Sequence, residues 1–327
     1  METNECILVV GGTGLLGAAT AAELVSRGYA VRALARRRRD VPDGVDLRLG
    51  DVATLSDVEL RALVQGCTGV VFAAGLDERT PVRKPAYDAF VAVNNAPLGR
   101  LLEAARAEGV RRVVVLGSYF THLARTRPDL DLGRWHPYVR SRIDQAELAL
   151  AYADGGLDVS IIEVPYVFGV GADGALPGVS IMVDAVRRMP GVVLWVSGGV
   201  AAVTVGQIAQ AVVGALERSE GAASYPVVGA NFTWSQLLRV FLRHLDRPRW
   251  PIVTVPASVF TVFLVARDLV LRLQGFEPGL DGVRLAALLA ADARVDRGPS
   301  DFLGVEPANM DVAIGELVRA TSARDTT

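Results

Sequence analysis

Gly11, Gly14 and Gly17 stand three residues apart, directly after the branched apolar run Ile7-Leu8-Val9-Val10. The chemistry this spacing suits is the binding of a dinucleotide pyrophosphate. Glycines let the backbone turn tightly and approach the phosphates, and the first free N–H groups of the following helix face the negative charge. Glycine spacing alone is a weak signal; its position at a strand-to-helix junction gives it meaning. Gly11, Thr13, Gly14, Leu15, Leu16 and Gly17 are therefore assigned to a phosphate cradle.

A second candidate group follows the next apolar segment, 29–35, which ends in Arg36-Arg37-Arg38-Arg39. In open α/β sheets the end of the second strand meets the adenosine ribose. A carboxylate there binds the 2′-hydroxyl of NAD, whereas an arginine accommodates the 2′-phosphate of NADP. No acid appears before Asp40, and guanidinium groups bind phosphate in a bidentate manner. NADP is thus expected rather than NAD, held by Arg36 first, with Arg37 or Arg32 assisting. Arg38 and Arg39 read as a solvated loop. Asp51 ends a third strand over 45–52 and is placed to accept from the adenine amino group, with Val52 beside it. Ala73, Ala74 and Gly75 end a fourth strand, where small residues let a cofactor lie against the backbone.

The elements that must position these groups alternate between apolar runs and helical periodicity. Helices are expected over 18–27, 56–64 and 87–108, the last kinked by Pro97. A fifth strand over 110–116 leads to Gly117-Ser118-Tyr119. A polar loop with His122, Pro128 and Trp135 follows, then a helix from Tyr138 through Tyr152. A sixth strand, 157–164, is left through Pro165-Tyr166-Val167-Phe168-Gly169. Beyond Gly169 short strands (192–196, 202–205, 225–228) alternate with helices (205–217, 233–246). The fold expected is α/β, a Rossmann-type doubly wound parallel sheet with a smaller, mixed C-terminal substrate-binding portion. Residues 1–168 form the dinucleotide-binding domain. Residues 169–327 form the smaller portion, interleaved with the end of the sheet.

Bulk properties narrow the function. A net charge of −2 over 327 residues gives no reason to expect nucleic acid as a partner. Cys6 and Cys67 lack metal-ligand spacing and read as free thiols in a reducing, cytoplasmic setting; no metal is expected. The N-terminus enters the first strand at once, leaving no room for a signal peptide. Residues 256–273 are apolar but too short, and too charged at Arg267 and Asp268, to span a membrane. They suit a core or interface helix, or else a surface anchor making peripheral membrane contact. The tail from Thr321 is expected to fray.

Together and in order, these segments resemble the extended short-chain dehydrogenases/reductases, the group containing NAD-dependent epimerases/dehydratases, dihydroflavonol reductases and 3β-hydroxysteroid dehydrogenases. The glycine motif, Gly50-Asp51-Val52, Ser118, His136-Pro137-Tyr138-Val139-Arg140-Ser141-Arg142 and the 165–169 exit carry the resemblance. The stretch Phe232-Thr233-Trp234-Ser235-Gln236-Leu237-Leu238 is similar to bacterial dihydroflavonol-reductase-like members, so the likeness covers nearly the whole chain. It implies that Tyr138 is the general acid or base, that Arg142 stands where the family has lysine, and that Ser118 or Thr121 polarises the substrate oxygen. Pro165 and Val167 would touch the cofactor. The family lysine lowers the tyrosine pKa, and a fixed positive charge does so on physical grounds. Arg142 supplies charge but does not relay a proton, because arginine does not deprotonate in proteins. In the segment Gly117-Ser118-Tyr119-Phe120-Thr121, Ser118 is either catalytic or structural, the latter leaving Tyr119 or Thr121 near substrate.

The function implied is an NADP-dependent oxidoreductase moving a hydride between nicotinamide and a ketone or secondary alcohol of a largely hydrophobic small molecule. Two other readings stand beside it: a cofactor-binding sensor or scaffold without turnover, and an epimerase or dehydratase. Dehydration would call for a carboxylate beside the tyrosine, and none stands at Tyr119 or Phe120. The resemblance also implies a monomer, or a homodimer pairing helices 87–108 and 138–153.

Overall fold

The computed structural model describes residues 5–324. The first apolar run forms β1 (Cys6–Val10), and α1 (Leu15–Ser26) leaves it through the glycine turn. β2 (Ala30–Ala35), β3 (Val45–Leu49), α2 (Asp57–Val64) and β4 (Gly69–Phe72) follow. Ser56 and Glu59 cap α2 reciprocally, satisfying two backbone donors that a helix start would leave unpaired.

Next come the two-residue β5 (Val82–Arg83), α3 (Ala86–Phe90), a π-helical turn (Val91–Asn95) and α4 (Ala96–Ala107). The single helix expected over 87–108 is thus interrupted just before Pro97, which has no N–H to offer the preceding turn. β6 (Arg112–Ser118) leads directly into α5 (Tyr119–Thr126), short α6 (Leu132–Trp135) and α7 (Pro137–Leu150). The expected polar loop is therefore corrected: Tyr119, Phe120 and Leu123 share a buried helical face, and Ser118 Oγ caps the helix.

β7 (Asp158–Val164) is followed by β8 (Tyr166–Phe168), α8 (Ser180–Arg187), β9 (Val193–Trp195), β10 (Gly199–Thr204) and α9 (Val205–Arg218). The chain closes with β11 (Ala222–Pro226), β12 (Ala230–Thr233), α10 (Trp234–His244), β13 (Ile252–Thr254) and α11 (Ala257–Leu273). Then come β14 (Phe276–Glu277), α12 (Gly282–Ala290), β15 (Asp292–Ala293), α13 (Gly298–Phe302) and α14 (Met310–Ala323). α14 runs through Thr321 to Ala323, which corrects the expected fraying; the end of that tail, 325–327, lies outside the described residues.

Seven strands pair in the order β11-β7-β6-β4-β1-β2-β3, every pair parallel. The sheet is a Rossmann-type α/β arrangement. Strand alternation divides its core: Ile7 and Val9 pack with Leu24, Ile208 and Val212 of α1 and α9, while Leu8 and Val10 pack with Leu60, Leu98 and Leu102 of α2 and α4. Chain order reverses between β1 and β4, the switch point at whose carboxyl edge such sheets bind ligands. A second sheet, β12-β10-β15 with β8 beside β10, belongs to a third cluster that joins Trp234, Leu237 and Phe241 to Phe90, Tyr119 and Tyr138.

Candidate active site

The glycine turn is shaped by contacts that admit no side chain. The N–H groups of Gly11 and Gly12 both donate to Leu34 O, at 2.9 and 3.1 Å, tying the turn to the end of β2. Gly11 has φ +85°, and a Cβ on Gly17 would lie 2.2 Å from Gly11 O. α1 starts beside it with Gly14 as N-cap and no side-chain cap, so its first-turn amides are left to an external acceptor. Arg36 and Arg37 are exposed just past the end of β2. Asp51 Oδ1 accepts from Ala53 N at 3.0 Å, and Val52 is buried. Arg32 is corrected: its guanidinium donates to Leu63 O (2.6 Å) and Gln65 O (3.0 Å), within the fold rather than at the ribose edge.

Across the switch point, β6 and α7 bring together the second group. Tyr138 is only 4% exposed. Its N–H donates to Gly279 O at 3.0 Å, and its ring meets the edges of Phe90 (5.3 Å) and Phe120 (6.4 Å). Arg142, one turn along α7, holds its guanidinium 5.7 Å from the Tyr138 ring centre. Arg142 Nη2 donates to Leu116 O at 2.6 Å; its buried Nε has no hydrogen-bond partner among the described residues. Burial raises the Tyr138 pKa; the Arg142 charge and a hydrogen bond with Ser118 pull it down, and Glu78 pushes it up. Burial outweighs them: the expected downward pull of Arg142 is present, but the phenol's pKa still lies above its ordinary value.

One cavity of about 390 Å³ joins the two groups. Gly14, Leu15, Leu16, Ala73, Ala74 and Gly75 line it together with Ser118, Tyr138, Arg142, Pro165 and Val167. Gly11, Thr13 and Gly17 shape the turn behind the wall. Arg36, Arg37, Asp51 and Val52 lie at the ends of β2 and β3, outside this cavity. Thr121 is corrected as a substrate contact: it is buried and donates to Glu163 Oε1 at 2.5 Å, where Arg125 also pairs with the carboxylate at 2.7 Å. A buried carboxylate needs such partners, and Thr121 is committed to that task. Ser118 and Tyr119 remain in the cavity wall.

The structure picks out individual residues within the 76–86 loop, which the sequence marks only as a segment expected to contact substrate. Asp77, Glu78 and Arg79, on the loop after β4, line the cavity. Arg79 pairs with Glu78 Oε1 at 2.6 Å and with Asp77 Oδ2 at 3.1 Å, and lies 5.9 Å from the Tyr166 ring centre. Burial raises the Glu78 pKa against the pull of Arg79. Asn94, fully buried in the π-helical turn, accepts from Leu76 N at 2.8 Å and so pins the start of this loop. Gln145 Nε2 donates to Asn94 O at 2.6 Å. The adjacent acids at the C-terminal edge of β4 were the available signal, since that edge carries the ligand crevice. Behind Arg79 and Tyr166 lies a second cavity of about 720 Å³.

A nicotinamide dinucleotide fits these residues: an uncapped helix start within a turn closed to side chains, exposed arginines past the end of β2, and an orphaned guanidinium donor beside Tyr138. A family model described as "NAD dependent epimerase/dehydratase family" matches residues 7–226. Among curated proteins, no match to the chain was found. The crystal structure of gox2253 superposes with a TM-score of 0.76 at 18% identity, covering 98% of this chain and 99% of that one. A nucleoside-diphosphate-sugar epimerase from Pseudomonas aeruginosa gives 0.67 at 17% identity, over 98% and 99%. A UDP-glucose 4-epimerase from Bifidobacterium longum in complex with NAD+ and UDP gives 0.68 at 15% identity, also over 98% and 99%. These likenesses are of fold.

Proposed function

The chain belongs to the NAD dependent epimerase/dehydratase family, and from that premise we propose that it is an NADP-dependent reductase or dehydrogenase acting on a ketone or secondary alcohol of a largely hydrophobic small molecule. The observation that carries this reading is the single cavity shared by Gly14–Leu16 and by Ser118, Tyr138 and Arg142. When bound, the reduced cofactor would supply the hydride for reduction and the oxidised form would accept it in the reverse direction. Tyr138, kept protonated by burial, would donate its proton to the carbonyl oxygen in reduction and be left as the phenolate beside Arg142; oxidation would start from that phenolate, which burial disfavours, so reduction is the favoured direction. Ser118 holds that oxygen by a hydrogen bond. Arg142 is fixed by Leu116 O and supplies positive charge in the cavity wall beside Tyr138; it relays no proton. Arg36 and Arg37 take the 2′-phosphate. The glycine half, 1–168, serves the cofactor, and the rest encloses the substrate. The apolar second cavity supports a hydrophobic substrate.

A second reading, epimerisation or dehydration, is favoured by one observation. Glu78 places a carboxylate in the cavity from the β4 loop, where the 119–120 segment offers none. The Bifidobacterium longum neighbour is an epimerase bound to NAD+ and UDP.

The test is NADPH consumption with a panel of ketones of rising apolar size, and UDP-glucose with NAD run in parallel. Net NADPH oxidation is expected with apolar ketones, and Tyr138→Phe should lower kcat by about 10²–10⁴-fold with NADPH affinity unchanged. Interconversion of the sugar nucleotide without net change in cofactor, and no ketone reduction, would replace this reading with the second.

A further inference from the structure

Helix α11 turns its apolar side outward. Val262 is 67% exposed, Phe263 61%, Leu269 58% and Leu273 79%, and Val259 and Val270 are exposed as well. At about 3.6 residues per turn they form one stripe along the helix. The only acid of α11, Asp268, is buried on the opposite side, where it accepts from Gly282 N at 2.6 Å and pairs with Arg267 at 2.6 Å. This inverts an ordinary surface helix, whose polar face meets water. Arg267 and Arg272 fall on opposite margins of the stripe, with side chains 45% and 47% exposed. Their other partners, Asp268 and Asp281, lie inward. The outward face is thus apolar, flanked by arginine and free of acids.

A second observation concerns the cavity beneath. Its wall takes Phe260, Leu264 and Leu271 from α11 and is otherwise almost wholly apolar, with Met182, Trp195 and Leu285 among its residues. At one end it shares Glu78, Arg79 and Tyr166 with the catalytic cavity. At the other, Phe263 belongs both to the wall and to the exposed stripe, and Ile181 of α8, 56% exposed, lines it as well. An apolar chamber therefore lies between an apolar surface and the catalytic cavity, separated from the latter by the wall of Glu78, Arg79 and Tyr166.

We propose that α11 lies in the surface of a lipid bilayer, and that the chamber receives the hydrocarbon part of a membrane-dissolved substrate between α8 and α11. A bilayer covers the stripe and presents hydrocarbon to the opening, whereas a second copy of the chain would seal it. The flanking arginines suit anionic headgroups while their stems lie along the apolar margin. Among the described residues no helix is long and apolar enough to cross a membrane, so α11 lies on the bilayer rather than through it. Docking stands independently of the reductase reading; the chamber's occupant as the reacting substrate rests on it.

The test is flotation of the full-length protein with vesicles of phosphatidylcholine containing a minority of phosphatidylglycerol, alongside light scattering in solution. The wild type is expected to float. The triple substitution Val262→Glu, Leu269→Glu, Leu273→Glu should lower partitioning by about tenfold or more, with melting temperature and NADPH affinity unchanged. In a second arm, cis-parinaric acid, a fluorescent fatty acid, should bind the wild type, and Ala185→Trp, which crowds the chamber wall, should weaken it by about tenfold. A wild type that stays with the soluble fraction overturns the docking, as does a triple variant that converts a dimer to a monomer without altering flotation. Parinaric acid binding unaffected by Ala185→Trp overturns the chamber. Neither arm reads turnover, so an absence of ketone reduction would count against the proposed activity alone.

Discussion

At the residue scale the site turns on which atoms of each cation are already committed. Arg142 spends one guanidinium nitrogen on Leu116 O and keeps Nε free within the buried wall. Lysine carries its donors on one compact ammonium and lacks the planar fork that spans Leu116 O and the cavity side. Arg142→Lys is therefore expected to weaken NADPH binding by about tenfold, the worth of one hydrogen bond, and not to restore a faster family-like rate; fluorescence titration and kcat together decide it. Arg36 is exposed past the end of β2. Arg36→Asp should cut NADPH affinity by about 10–100-fold, as expected for a lost charge-assisted contact, and leave NADH affinity level or improved. Equal loss for both cofactors would remove Arg36 from the ribose edge. Sequence order ranks Arg36 first but leaves Arg32 beside it as an assisting residue. Strand position separates them: Arg32 lies inside β2 and reaches across to Leu63 O, whereas Arg36 leaves the strand at the ligand edge.

At the element scale the start of α7 matters most, because it aims Tyr138. His136 stands at the N-cap position of that helix without a side-chain cap and is fully buried; its Nδ1 accepts from Asp281 N at 3.0 Å, while Tyr138 N donates to Gly279 O. The turn before α12 thus holds the start of α7 in place. Burial lowers the His136 pKa from 6.5 to about 4, against the pull of Asp281. A folded-state value below the unfolded one stabilises the protein fully above pH 6.5, and that stability is lost as pH falls towards 4. The shift corresponds to about 3 kcal/mol. Urea midpoints measured across this window should fall with acidification, and His136→Asn, which retains an acceptor for Asp281 N, should flatten the slope. Helix boundaries of this kind were legible where caps announce them, as at Ser56 and Thr233. They were not legible at α5, because its polar outer residues mask a buried face of Tyr119, Phe120 and Leu123.

At the scale of the whole molecule, three tyrosines meet where the C-terminal cluster closes over the sheet edge. Burial raises the pKa of Tyr119, Tyr138 and Tyr166, the last to about 12. Folded values above the unfolded 10 mean that this stability is intact below pH 10 and is lost as pH rises towards 12. Denaturation midpoints should therefore decline in that alkaline window, and Tyr166→Phe should soften the decline; an unchanged profile would place the phenols in contact with water. The sequence by itself determined the parallel sheet and the glycine turn, because burial on both strand faces and the need for a side-chain-free turn are local demands written in adjacent residues. The tertiary structure alone decided how distant segments converge. It brought Glu78 and Arg79 to Tyr138 through the buried amide of Asn94, and turned Thr121 towards Glu163 and away from the cavity. It also built an apolar chamber from residues between 78 and 289. Such placements follow from packing between elements far apart in the chain, and packing leaves no periodic trace in any one of them.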